Sequence, residues 1–148
     1  MKIKTVLWGL ATAALLVSCS GAKLSVANEQ YARGEFYDAA QTYRKVYSKT
    51  NPRKERKLRG EIAFKMAECY RRINMAPRSS AAYQNAIRYD YPDSMALFYL
   101  ARSQQYEGKY KEAIKNYQAY LETNPQSSLA KNGIRGCNFC LLYTSPSP

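Results

Sequence analysis

Glu61 and Glu68 are the pair of carboxylates whose spacing within one stretch could serve acid–base chemistry. General acid and base must flank one reacting bond. These two stand seven residues apart, two helical turns, with Lys65, Arg71 and Arg72 around them. Solvated ion pairs are therefore expected, not catalysis. Histidine is absent from all 148 residues. That removes imidazole metal ligands and every Ser-His or Cys-His nucleophile pair. The seven glycines are scattered and cradle no phosphate. The chain reads as a non-enzyme needing no cofactor and no metal, so its chemistry is that of binding. Lys and Arg number 23 against 11 Asp and Glu, giving +12. That balance suits nucleic acid, an anionic membrane surface or plain solvated helix faces. Fourteen tyrosines against four phenylalanines and one tryptophan are the other oddity. Hydrophobic residues make up 46%, enough for a core.

Both ends stand apart from what lies between. Lys2 and Lys4 precede an uncharged apolar run from Val6 to Val17, shorter than the ~20 residues that span a bilayer. It reads as a secretory signal peptide over 1–18. The run closes on Leu16-Val17-Ser18-Cys19, which resembles a bacterial lipobox. The resemblance implies cleavage before Cys19, lipidation of its thiol and stable anchoring by the attached chains. Residues 19–23 form a spacer, in which Ser20 to Lys23 supply neither the Asp of inner-membrane retention nor an acidic export cluster. The resemblance thus implies an outer membrane, periplasmic face, and a mature charge of +10. At the other end, residues 140–148 (Cys140 to Pro148) carry no charge and no helical pattern. They resemble the translation of a transposase adapter from sequencing libraries, which implies that the gene runs on past Gly136 or Cys137.

Between these ends the chain repeats. Gly34, Ala39 and Tyr43 align with Asn74, Ser79 and Tyr83, and with Gly108, Ala113 and Tyr117. The steps between turn residues are 40 and 34, and prolines 52, 92 and 125 close the units. A helix, a left-handed turn and an antiparallel second helix satisfy this pattern. Gly or Asn makes the turn. A small residue marks the close crossing, and a tyrosine one turn later fills the space. Pro77 suits the first turn of a helix. Tyr rings are expected in the core with hydroxyls reaching solvent. Cys69 is expected as a buried thiol.

A period of 34 with these residues resembles the tetratricopeptide repeat family. The resemblance implies an all-α solenoid of about three helix pairs plus the start of a capping helix. Its segments would be 24–136 in all: 24–52, 57–92 and 93–125, with the cap at 127–136. In that family the first helices line a concave groove. Register then selects Leu24, Asn28 and Tyr31, then Phe64, Glu68 and Arg71, then Phe98, Arg102 and Gln105. This mixture suits an extended or helical peptide of some acidic character. The family's carboxylate clamp needs cations where Leu24, Met95 and Tyr99 stand. Only Asn28 fits, so that subfamily is excluded.

The order of lipobox, spacer and Gly34-Glu35-Phe36-Tyr37-Asp38-Ala39-Ala40-Gln41-Thr42-Tyr43 is similar to an outer-membrane lipoprotein family of Bacteroidota. Those proteins add an OmpA-like peptidoglycan-binding domain, and some serve type IX secretion. The resemblance implies a lipid-anchored scaffold for envelope proteins, with peptidoglycan reached only through further domains. The alternatives are a stand-alone outer-membrane assembly or chaperone factor, and a basic envelope protein that binds polyanions. Export argues against nucleic acid.

Overall fold

The computed structural model describes residues 23–144. The signal peptide, Cys19 and the last residues of the tail lie outside these. Seven helices follow one another: α1 (23–32), α2 (Phe36–Lys49), α3 (Arg56–Arg72), α4 (Ala76–Arg88), α5 (Met95–Tyr106), α6 (Tyr110–Thr123) and α7 (Ser128–Thr144). From α2 onward each packs on its sequence neighbours, and α5 also touches α7. This is the expected all-α solenoid of three helix pairs with a capping helix. No helix among the described residues is long and apolar enough to cross a membrane.

The turns inside the pairs are one motif used three times. Gly34, Asn74 and Gly108 have φ of 78°, 57° and 76°. At each, the following amide reaches back to close the helix: Glu35 to the Gln30 carbonyl, Met75 to Tyr70 and Lys109 to Gln104, all at 2.9 Å. That is the Schellman closure, which needs a left-handed residue at the turn. Asp90 (φ 58°) closes α4 in the same way, with the Tyr91 amide 3.0 Å from the Ala86 carbonyl. Pro92 follows and cannot continue the helix.

Small and large residues alternate where the helices cross. Ala39, Ser79 and Ala113 are fully buried, and so, within 2%, are Tyr43, Tyr83 and Tyr117. Ser79 tolerates burial because its hydroxyl shares a hydrogen bond with that of Ser103 at 3.0 Å. Two apolar clusters result, one over α1–α5 and one over α5–α7, with Tyr99 packed against both.

The extra residues of the first interval lie in a turn held by hydrogen bonds to its own backbone amides. Asn51 Oδ1 accepts from the Arg53 and Lys54 amides, and Glu55 accepts from the Asn51 amide. Arg59 donates to the Tyr47 and Thr50 carbonyls at 2.7 Å, capping the end of α2. Its guanidinium lies 3.9 Å over the Tyr47 ring. The cap expected at 127–136 is longer in the structure. Residues 140–144, expected to lack helical pattern, continue α7 to Thr144. Cys137 is buried there, and Phe139, Leu142 and Tyr143 face outward.

Candidate functional site

The site is built on the first helices of the pairs, α1, α3 and α5. Counting back six residues from each left-handed turn gives Asn28, Glu68 and Arg102. Counting back three gives Tyr31, Arg71 and Gln105, and ten gives Leu24, Phe64 and Phe98. Because the turns are equivalent, these nine fall in three parallel rows.

The polar members are tied to the tyrosines of the second helices. Tyr43 donates its hydroxyl to Asn28 Oδ1 at 2.7 Å, and Tyr117 donates to Gln105 Oε1 at 2.9 Å. Tyr83 donates to Glu68 Oε1. The expectation that these hydroxyls reach solvent is thus corrected. Rings this deep need an internal acceptor, and the groove residues supply it.

Glu68 also corrects the expectation of solvated ion pairs. Its side chain is only 10% exposed. Arg71 grips it with two bonds, Nε to Oε1 at 3.0 Å and Nη2 to Oε2 at 2.7 Å. Arg72 Nε stands 3.9 Å from Oε2. Burial pushes the carboxyl up, but the Arg71 and Tyr83 hydrogen bonds and the two guanidinium charges outweigh it, holding it below the ordinary range. Hydrogen bonding to the carboxylate holds Arg71 firmly protonated against some burial. Burial and the neighbouring carboxylate push the Tyr83 phenol far up.

Over this network lies a row of cations on aromatic rings. Lys65 Nζ is 5.2 Å above Tyr31, and Arg72 is 4.9 Å above Phe36 and 5.7 Å above Tyr31. Arg71 lies 4.3 Å over Tyr99, and Arg102 lies 5.8 Å from the Tyr106 ring. Phe64 stacks on Tyr91 at 4.2 Å. Phe98 is buried against Tyr99, Tyr117 and Tyr120, so it props the face from beneath. Lys65, Arg72, Arg102, Tyr106 and Asn28 are exposed, while Tyr31, Phe64, Arg71 and Gln105 are half-buried. Lys65, Arg72 and Tyr106 were not among the expected site residues. The signal that finds them is one-turn spacing, Lys65 and Arg72 from Glu68 and Tyr106 from Arg102.

Among the described residues no group of three or more Cys, Asp or Glu could hold a metal ion. Cys69 is buried as expected, and burial pushes its thiol to about 12. Cys140, set apart above with the adapter-like tail, lies on the same helix as Cys137. They form a Cys-x-x-Cys pair one turn apart on α7.

Residues 95–127, which span α5 and α6, match the family model of the tetratricopeptide repeat. Solved structures agree over nearly the whole described chain. The C-terminal TPR-containing domain of a Plasmodium falciparum FK506-binding protein superposes with a TM-score of 0.69 at 18% identity, covering 88% of this chain and 93% of that one. The fold is a tetratricopeptide-repeat solenoid. The second TPR domain of human RPAP3, solved with HSP70 peptide SGPTIEEVD, gives 0.65 at 16% identity over 78% and 92% of the chains. The Sgt2 TPR domain from Aspergillus fumigatus gives 0.62 at 19% over 87% and 84%. No curated protein sequence matches this one. The three rows lie on the first helices of the pairs, and the cations sit on rings beside them. That face carries cations outermost, with the Glu68 carboxylate neutralised beneath them.

Proposed function

We propose that this tetratricopeptide domain is a peptide-binding module of the chaperone-cofactor kind, and that its groove takes extended segments with acidic side chains. The observation that carries the reading is the layer of Lys65, Arg72, Arg71 and Arg102 laid on Tyr31, Phe36, Tyr99 and Tyr106. Rings hold the cations in place, so less side-chain entropy is lost when a carboxylate docks. The RPAP3 domains of the same fold were solved with HSP90 peptide SRMEEVD and HSP70 peptide SGPTIEEVD, both acidic. This groove lacks the clamp cations at Leu24, Met95 and Tyr99, so its preference is for acidic side chains along the segment.

The lipobox-like end at Cys19 supports a place on the periplasmic face of an outer membrane, with envelope proteins as partners. Peptidoglycan attachment and a type IX setting rest on the lipoprotein resemblance alone. The test is fluorescence anisotropy with a labelled acidic peptide and its Gln/Asn-substituted counterpart. The acidic peptide should bind roughly tenfold more tightly, and a Lys65→Glu/Arg72→Glu variant should reverse the preference. Equal binding of both peptides, unchanged by that variant, would sink the proposal.

A further inference from the structure

The basic residues of this chain differ in what they are already doing. Arg56 pairs with Asp90, Arg71 with Glu68 and Lys109 with Glu107, each within 2.7 Å. Arg59 caps α2, and Lys54 and Lys57 are interleaved with Glu55 and Glu61 around one hollow. Lys23, Lys45 and Lys49 are different. They are exposed and surround a recess of about 350 Å³ whose other walls are Thr42, Val46 and Ser48. No salt bridge engages any of the three among the described residues. The one acid on that stripe of α2 is Asp38, two turns from Lys45. This edge, formed by the start of α1 and the second half of α2, is the part of the solenoid nearest the chain's leading segment.

That position has a geometric consequence. Cys19 precedes Lys23 by four residues. A chain of that length reaches at most about 14 Å however it is arranged. If Cys19 carries lipid, Lys23 is held within one or two screening lengths of the headgroups, since the Debye length is ~8 Å at physiological salt. Lys45 and Lys49 share its recess. We propose that the Lys23–Lys45–Lys49 edge docks on an anionic bilayer surface, the phosphates of the lipid headgroups facing the three ammonium groups. The groove on α1, α3 and α5 would then stand at a fixed attitude to the membrane. This rests on the anchoring part of the proposed function, not on the peptide preference.

The experiment uses the chain from residue 19 onward as Cys19→Ser, so that neither lipid nor the leading apolar run contributes, in flotation with vesicles of 30% phosphatidylglycerol or pure phosphatidylcholine. Binding should be confined to the anionic vesicles and fall steeply with salt. At about fivefold per lysine, Lys23→Gln/Lys45→Gln/Lys49→Gln should weaken it roughly 100-fold. A Lys111→Gln/Lys115→Gln control on α6, which removes exposed charge elsewhere, should change it no more than severalfold. An unchanged helical circular-dichroism spectrum and melting temperature show that the triple variant is folded. Equal loss in triple and control variants would overturn the proposal, as would equal binding to both vesicle types. Inhibition by millimolar inorganic phosphate without any vesicle preference would also overturn it, pointing to a free anion. Mass spectrometry of the chain made in a lipoprotein-processing bacterium separates the two readings. Lack of a diacylglyceryl adduct on Cys19 defeats the anchor, whereas the vesicle result judges the lysine edge.

Discussion

Removing the Glu68 carboxylate should destabilise the domain more than any single exposed charge does. In Glu68→Ala the Tyr83 hydroxyl, on a residue with no solvent exposure, loses its acceptor. An orphaned buried donor costs about 1–3 kcal/mol. Arg71 loses both its bonds but its side chain is 27% exposed, so water recovers part of that loss. A partly solvated ion pair of this kind adds roughly 1 kcal/mol. The sum, about 2–4 kcal/mol, corresponds to a fall in Tm of roughly 8–16 °C for a domain of this size. Tyr83→Phe removes the donor and leaves Glu68 with Arg71, so it should cost only ~1 kcal/mol. Chemical denaturation of the two single variants and the double variant gives the coupling, expected to be at least ~1 kcal/mol for groups in direct contact. The acid dependence follows in sign. Because the folded-state pKa is lowered from 4.5, the stabilisation is complete above that value. It is lost as pH falls through the folded-state pKa. Wild type should therefore lose stability below pH 4.5 more steeply than Glu68→Gln. A coupling near zero, or a Glu68→Ala penalty under ~1 kcal/mol, would refute a buried network.

Other consequences are as direct. Asn74→Ala should cost about 1 kcal/mol because φ is 57°, while Asn74→Gly should be neutral or slightly stabilising, read by urea unfolding. A Cβ on Gly133 would lie 2.5 Å from the Tyr117 ring, so Gly133→Ala should force α7 off α6 and cost roughly 1–3 kcal/mol. Cys69, fully buried with its thiol raised to about 12, should resist a thiol reagent in the native state and react on unfolding. Arg59→Ala should fray the end of α2, seen as faster amide exchange at Thr50, whose carbonyl Arg59 caps and whose own amide bonds Val46 and Tyr47.

What could be read from the chain beforehand was whatever is local. Gly34, Asn74 and Gly108 announce left-handed turns because few residues tolerate that conformation. Ala39, Ser79 and Ala113 with their tyrosines announce the crossing, because size alternation one turn apart is a property of one helix. What could not be read joins helices. Glu68 meets Tyr83 across 15 residues, so its burial depends on how α4 seats on α3. With Arg71 and Arg72 adjacent, the same letters describe a solvated face equally well. Arg59 is a helix cap reached across 12 residues, a role that nothing in its immediate sequence marks. Asp90 was hidden because Pro92 offered a simpler reason for the helix to end. The hydroxyls of Tyr43, Tyr83 and Tyr117 show where site and core merge: the groove's polar residues are the acceptors that let those rings be buried.

The central claim is that the face of α1, α3 and α5 receives an acidic segment on cations laid over rings. Titrating the isotopically labelled chain with an acidic peptide and following side-chain and amide NMR shifts tests this most directly. The account predicts that Tyr31, Lys65, Arg72 and Arg102 move together and saturate together, and that signals on the outer faces of α2, α4 and α6 stay put. Shifts confined to those outer faces, with Lys65 and Arg72 unmoved at saturation, would contradict it.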